Sequence, residues 1–167
     1  MIKKVNNIGF TLIELIVVIT IISVMAAGVL AVLNPFEQFK KSADAKTKSD
    51  LGQVQKALEI YYEDKQSYPA NSAGYNIVDA KLGTIAWGSS WGTYMSIIPR
   101  DSTAGHKYIY FSPDGQTYYL YANLIRGSKD PQVCNSGNKC TNVPSGVNCG
   151  NASIICNFGV SSPNKSP

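Results

Sequence analysis

Residues 8–15 read IGFTLIEL, and they open the longest apolar run of the chain. Between Phe10 and Leu33 the only charged residue is Glu14. A charge placed at the centre of a bilayer costs about 2.5–3.5 kcal/mol on insertion scales. This carboxylate therefore needs a partner, and the nature of that partner bears on what the protein does.

The apolar run over residues 10–33 predicts a membrane-spanning helix. Its helical length would be about 36 Å at ~1.5 Å per residue, which exceeds the ~30 Å of a hydrocarbon core. Helix is also the conformation in which a lipid-embedded backbone satisfies its own hydrogen bonds. Asn34-Pro35 ends the run, and because Gly28 lies upstream we expect a kink or a short loss of helix between Gly28 and Pro35.

Helical periodicity returns over residues 36–65. Apolar positions three or four residues apart form one stripe, made of Ala43, Thr47, Leu51, Val54, Leu58 and Tyr61. The stripe predicts an amphipathic helix that packs on a sheet of its own domain.

Strands are predicted later in the chain. Within residues 107–124, KYIYFS and TYYLYANL flank the turn signal Pro113-Asp114-Gly115-Gln116. A third strand is expected within 131–160, whereas the Gly-, Ser- and Asn-rich residues 66–106 predict a long loop with one short element around Thr93–Ile98. The predicted class is α+β, with a long N-terminal helix on a small antiparallel sheet.

The cysteines all lie late in the chain and predict disulfide bonds. Behind an export-type segment, an even count in a Gly-, Asn- and Ser-rich tail indicates a disulfide framework rather than a zinc site. Three pairings are possible, and short loops favour the first cysteine with the second and the third with the fourth. The residues are Cys134, Cys140, Cys149 and Cys156.

Charge and motifs argue against an enzyme. The net charge is only +4, too weak to indicate nucleic acid or an acidic substrate. His106 is the single histidine, and the sequence contains no G-x-S-x-G, H-E-x-x-H or P-loop pattern. The acidic loop residues Asp101, Asp114 and Asp130 could meet around a cation such as calcium, but the sequence contains no EF-hand spacing and turn formation is the preferred explanation of them. The strand tyrosines predict core packing rather than a base-stacking platform.

The N-terminal residues allow three interpretations. A cleaved secretory signal peptide fits the basic start and the small residues Ala26-Ala27-Gly28, but not the charge at Glu14. An uncleaved signal anchor fits the length and offers Glu14 no partner. The third interpretation rests on Gly9-Phe10-Thr11-Leu12-Ile13-Glu14-Leu15 behind a basic leader. This stretch resembles the class III signal of type IV pilins and type II secretion pseudopilins.

The resemblance implies a division into a leader (1–9), an apolar membrane and filament-core helix (10–33) and an extracytoplasmic globular domain (34–167). A prepilin peptidase would cut after Gly9 and methylate the new N-terminal Phe10. In the family, the glutamate, here Glu14, pairs with the N-terminal amine of an adjacent subunit. The implied partners are identical subunits, the peptidase, the membrane-bound assembly machinery, and lipid before assembly. Looser similarity extends to Ala57–Tyr62, Ile98–Asp101 and Tyr110–Gly115.

The cysteine-bearing tail departs from the plain pseudopilin pattern, which commonly carries a calcium site in the C-terminal loop. Three roles therefore stay open: a surface pilus subunit, a secretion pseudopilin, and a minor pilin that binds DNA or a surface. In each case the precursor is expected in the cytoplasmic membrane with its N-terminus inside, and the assembled filament outside.

The class III signal predicts the mature N-terminus. Mass spectrometry of the protein purified from its native membrane should show a chain that starts at methylated Phe10. A chain that starts near Gly28 would instead establish an ordinary secreted protein.

Overall fold

The structure is a computed structural model that describes residues 9–163 and 167, with the backbone only for residues 30–33. The leader residues 1–8 lie outside the described part. Two compact units are present: the first ends at Phe39 and the second begins at Lys40. The apolar segment lies in the first unit, and the strands found in the described residues lie in the second.

Helix α1 spans Leu12–Leu33, and helix α2 spans Pro35–Lys65. Asn34 separates them with left-handed backbone angles (φ 39°, ψ 73°). Proline cannot donate an amide hydrogen bond, and the residue before it avoids helical angles, which explains why the interruption falls here. Gly28 lies within α1 and Pro35 begins α2, so the predicted break is confined to Asn34 in the single chain. A wider loss of helix stays a prediction about the assembled state.

Helix α2 buries the predicted stripe. Leu51, Val54 and Leu58 are fully buried, Thr47 and Tyr61 nearly so, and Ala43 is half-buried. The stripe packs in a core with residues of the strands, as expected for a helix that covers one face of a sheet.

The main sheet contains strands β4 (Ile109–Phe111), β5 (Tyr119–Ala122) and β6 (Phe158–Ser161), in the order β4-β5-β6. All pairs are antiparallel, with Tyr110 opposite Leu120 and Leu120 opposite Val160. The Asp114 carboxylate stabilises the β4–β5 turn, because it accepts hydrogen bonds from the amides of Gln116 and Thr117 (2.9 and 2.8 Å). The α+β prediction is confirmed, although the strands are shorter than predicted and β6 ends one residue beyond the expected range.

Both faces of this sheet are buried. Tyr110 and Leu120 join the core that includes the α2 stripe, whereas Ile109, Tyr119 and Tyr121 join a second core with three of the cysteines. The alternation follows from the two-residue period of a strand. The C-terminal tail therefore serves as the cover of the second face.

Two disulfide bonds hold that tail: Cys134 with Cys140, and Cys149 with Cys156. This is the pairing that the short loops favoured. The sulfur atoms belong to the second core, so the bonds both close the loops and supply apolar bulk.

The segment predicted as a loop, residues 66–106, contains a second sheet. Strands β1 (Ala70–Asn71), β2 (Ile77–Asp79) and β3 (Gly83–Ile85) pair antiparallel in the order β1-β2-β3. The prediction was wrong because strands of two or three residues leave no periodic pattern to detect. Thr93–Ile98 forms neither helix nor strand, and only Trp91 and Met95 make an isolated bridge there.

Aspartates tie the loops after β5 to α2. Asp44 of α2 accepts hydrogen bonds from the amides of Ile125 and Arg126 (2.7 and 3.1 Å). Asp130 accepts both 2.7 Å hydrogen bonds from the Lys48 ammonium, and its side chain is only 6% exposed. A buried carboxylate of this kind depends on its cation, because an unpaired charge is costly there.

Replacing Asp130 with asparagine keeps its shape and leaves Lys48 without a counter-charge. Since Lys48 is itself partly exposed, we expect the free energy of unfolding to fall by about 2–4 kcal/mol. Chemical denaturation of the full chain in detergent measures this. Asp64→Asn removes the exposed ion pair with Lys65 and should cost less than ~1 kcal/mol; equal losses in the two variants would contradict a buried ion pair.

The same pair makes stability depend on pH. Burial raises the pKa of Asp130. The hydrogen bonds from Lys48 and the Gln132 amide, together with the nearby cations, lower the pKa by more than burial raises it, so the pKa in the folded state lies below 3.8. The Asp130 contribution is therefore present above about pH 4 and is lost as the pH falls through the folded pKa. The difference between wild type and Asp130→Asn should shrink below about pH 4.

Candidate functional site

The candidate site is the apolar helix α1 with the two residues before it, Gly9 and Phe10. Its side chains from Phe10 to Val29 are exposed in the single chain, Phe10 and Leu12 to 87% and 75%. The segment Leu12–Val29 is long and apolar enough to cross a membrane. A continuous apolar surface of this size marks contact with lipid or with other protein.

The charged group of this helix has a partner within its own first turn. Thr11 is the N-cap, and its hydroxyl oxygen accepts a hydrogen bond from the Glu14 amide (3.3 Å). In return, Glu14 Oε2 accepts from the Thr11 amide (2.8 Å) and from the Thr11 hydroxyl (2.6 Å). This reciprocal arrangement is a capping box, which satisfies two amides that a helix start otherwise leaves unpaired.

The other polar side chains of α1 are satisfied by the helix backbone. The Thr20 hydroxyl donates to the Val17 carbonyl (2.8 Å), and the Ser23 hydroxyl donates to the Ile19 carbonyl (2.7 Å). Such bonds let a hydroxyl sit in an apolar environment. Glu14 is thus the one ionisable group within the segment Leu12–Val29, and only one of its carboxylate oxygens takes part in the capping bonds.

The capping box was missed in the sequence-based prediction, although its signal is present. The pattern S/T-x-x-E ahead of an apolar run is a helix-start signature, and Thr11-Leu12-Ile13-Glu14 matches it. The partner expected for Glu14 is an opposite charge, whereas in the structure the Thr11 amide and hydroxyl already stabilise the carboxylate.

The predicted cleavage position lies ahead of the helix. Gly9 and Phe10 are exposed and non-helical, so the peptide bond between them is outside the first turn of α1. A Cβ atom at Gly9 would meet no atom within 4 Å. The fold of the chain therefore does not itself require glycine at this position.

The three candidate calcium ligands each serve a local structural role. Asp114 stabilises the β4–β5 turn, Asp130 binds Lys48, and Asp101 Oδ1 accepts a hydrogen bond from the Thr103 amide (2.8 Å). Within residues 9–163 and 167, no three His, Cys, Asp or Glu side chains form a group that could hold a metal ion.

The strand tyrosines are core residues, as predicted. Tyr108, Tyr110, Tyr118 and Tyr121 are at most 2% exposed. Burial raises the pKa of Tyr118, and its hydrogen bond to the Glu59 carboxylate (2.9 Å) raises it further. Their faces are not accessible for stacking on bases.

Comparison with known proteins assigns both parts of the chain. Residues 5–30 match the model of the prokaryotic N-terminal methylation motif, and residues 34–138 match that of type II secretion system protein G. The chain belongs to the type II secretion system protein G family. The predicted recognition as a pseudopilin-type protein is thereby confirmed.

Individual members of the family are moderately similar. The type II secretion system core protein G of Escherichia coli K12 is 34% identical over 127 residues, which cover 75% of this chain and 83% of that protein. The core protein G of Pseudomonas aeruginosa is 31% identical over 73% of this chain and 88% of the relative. That of Aeromonas hydrophila is 31% identical over 66% and 77%. No solved structure matches the chain significantly.

The family match ends at residue 138, before three of the four cysteines. The protein G model thus covers α2 and strands β1–β5, but it covers neither the second disulfide nor β6. The tail that covers the second face of the sheet lies beyond the shared family pattern.

The capping box predicts a specific effect at the start of α1. Thr11→Val keeps the side-chain shape and removes the capping oxygen, so the first turn should lose about 1 kcal/mol. Hydrogen exchange of the full chain in lipid nanodiscs should show faster exchange at the Glu14 amide.

Thr20→Val is the matched control, because the Thr20 hydroxyl only donates to a carbonyl within the helix. It should leave exchange at Glu14 unchanged. Equal exchange at Glu14 in wild type and Thr11→Val would show that the cap does not stabilise the helix start.

Proposed function

We propose that this chain is the structural subunit of a type II secretion pseudopilus, a pilus-like filament assembled from the cytoplasmic membrane. The observation that carries the proposal is the exposed apolar helix α1, whose one ionisable group lies in its first turn. The match of residues 5–30 to the methylation motif, and the protein G relatives, support it.

The first step is residence in the membrane. The precursor holds α1 in the bilayer, with the leader carrying Lys3 and Lys4 on the cytoplasmic side and the globular unit outside, as the positive-inside rule directs. Lipid covers the apolar side chains at this stage, and Thr11 supplies the hydrogen bonds that keep Glu14 capped.

The second step is cleavage after Gly9 by a prepilin peptidase, followed by methylation of Phe10. The exposed, non-helical bond between these residues suits a protease, which needs backbone outside a helix. Because the fold places no constraint on Gly9, the requirement for a glycine at this position is assigned to the peptidase.

The third step is assembly, in which identical subunits replace lipid around α1. Cleavage creates a cationic amine at Phe10, and a neighbouring subunit's amine pairs with Glu14. The carboxylate can accept this partner while it keeps the Thr11 cap, since the capping bonds involve only Oε2. Burial of the apolar side chains supplies most of the cohesion, and the ion pair fixes the axial register between subunits. Because the two surfaces in contact differ, the interaction propagates into an open filament.

A surface pilus is the second candidate, and the disulfide-bonded tail favours it. The tail lies beyond the protein G match. Its disulfide-bonded loops suit a filament exposed outside the cell, because disulfide bonds persist in an oxidising environment. Imaging native filaments and identifying their dominant subunit distinguishes long surface pili from a short pseudopilus.

Two substitutions at Glu14 separate capping from ion pairing. Glu14→Ala removes both, whereas Glu14→Gln keeps an oxygen that can accept from the Thr11 amide and removes the charge. Both variants should insert into the membrane normally. Both should form at least about ten-fold fewer filaments than wild type, because each loses the charged hydrogen bond to the neighbouring amine. Electron microscopy and quantification of sheared filaments measure assembly.

Glu63→Ala removes an exposed carboxylate of α2 and serves as the control for general loss of charge. It should assemble like wild type. Normal filaments from Glu14→Gln would refute the ion pair and leave capping as the role of Glu14. Normal filaments from both Glu14 variants would refute any role for this carboxylate in assembly.

A further inference from the structure

The first turn of α2 exposes two aromatic side chains to which no role has yet been given. Phe36 and Phe39 are three residues apart, so they lie on the same side of the helix, and they are 75% and 73% exposed. Glu37 and Gln38 occupy the opposite side of the turn. The turn therefore has an apolar side and a polar side, and the described part of the chain leaves the apolar side uncovered.

This pattern differs from that of α1, which carries apolar side chains on every side. Between Leu12 and Val29 the polar residues are Glu14, Thr20 and Ser23. A helix that is apolar all round suits the hydrocarbon interior of a bilayer, whereas a turn with one apolar and one polar side suits the boundary between acyl chains and water. The change from the first pattern to the second coincides with the end of α1.

The length of α1 places the aromatic turn at the same boundary. The 22 residues of Leu12–Leu33 rise about 33 Å at ~1.5 Å per residue, and a hydrocarbon core is ~30 Å thick. When α1 crosses the bilayer, its two ends therefore lie near opposite surfaces of the core. The headgroup layer adds about 5–7 Å on each side, and the residues just beyond Leu33 fall within it.

We propose that Phe36 and Phe39 anchor the unassembled subunit in the phospholipid interface on the outer side of the membrane. The proposal rests on the membrane residence of α1 described under the proposed function. The two rings insert at the level where acyl chains meet headgroups. Lys40 and Lys41, the next residues in the sequence, bring positive charge to the level of the lipid phosphates. Phospholipid is thus the partner that covers the exposed rings.

An anchor at one end of α1 fixes the depth of the other end. Glu14 precedes the end of the helix by about 20 residues, which corresponds to about 30 Å of helix. The carboxylate then lies at the cytoplasmic edge of the hydrocarbon core, where a charge costs less than at the centre. The bond between Gly9 and Phe10 lies beyond that edge, so the anchor keeps it within reach of a peptidase.

Quenching of tryptophan fluorescence by brominated lipids measures depth and tests the anchor. The full chain is placed, one copy per disc, in nanodiscs of phosphatidylcholine and phosphatidylglycerol. Phe36→Trp should be quenched more by bromine near the headgroup end of the acyl chains than by bromine near the chain ends. Ile22→Trp, near the middle of α1, is the matched control and should show the reverse order. Wild type, which contains Trp87 and Trp91, gives the background.

Removal of both rings then tests whether they set the depth of α1. In the Ile22→Trp chain, adding Phe36→Gln and Phe39→Gln should reduce quenching by bromine near the chain ends, because a helix that slides in either direction carries the tryptophan away from the bilayer centre. Adding Gln38→Ala instead changes the polar side of the same turn and should leave that quenching unchanged.

The outcomes separate the anchor from the proposed function. Suppose that Ile22→Trp is quenched as expected, but Phe36→Trp is not quenched or is quenched mainly by bromine near the chain ends. The anchor is then overturned while the membrane residence of α1 stands, and absence of quenching would assign the rings to a second copy of the chain or to water. Unchanged quenching after removal of both rings would also overturn the anchor. No quenching of either tryptophan variant would refute the membrane residence itself.

Discussion

The helix α1 cannot bury its apolar side chains within its own chain, and this constraint governs the rest of the molecule. The side chains from Leu12 to Val29 are exposed, and each Val, Leu, Ile or Met among them would contribute about 1.5–3 kcal/mol on transfer out of water. Only lipid or other subunits can supply that burial. Membrane insertion and filament assembly are then two solutions to one problem, and the globular unit is free to fold around a separate core.

The helix start shows how a charge is kept in such a segment. The Glu14 carboxylate accepts hydrogen bonds from the Thr11 amide and hydroxyl, and the Thr11 hydroxyl oxygen accepts one from the Glu14 amide. The carboxylate is therefore not an isolated charge even before a neighbouring subunit arrives. In the proposed filament, the N-terminal amine of a neighbouring subunit would add an ionic partner to the Glu14 carboxylate, whose position the Thr11 hydrogen bonds already fix. A preorganised acceptor of this kind loses little conformational freedom when its partner binds.

The globular unit solves a different packing problem, because both faces of its main sheet are apolar. Helix α2 covers one face, and the disulfide-bonded tail covers the other. Small sheets with short strands have little apolar area to bury, and disulfide bonds compensate by restricting the unfolded chain.

By itself, the sequence determined the features that repeat or occur at fixed spacing: the apolar run, the α2 stripe, the hairpin around Asp114 and the signal at Gly9, Phe10 and Glu14. These depend on neighbours within a few residues, so periodicity and turn chemistry reveal them. Only the tertiary structure decided that β1–β3 pair and that the tail covers the second face. Those relations join residues far apart in the chain through contacts that no local pattern encodes, because packing and burial are set by the whole fold.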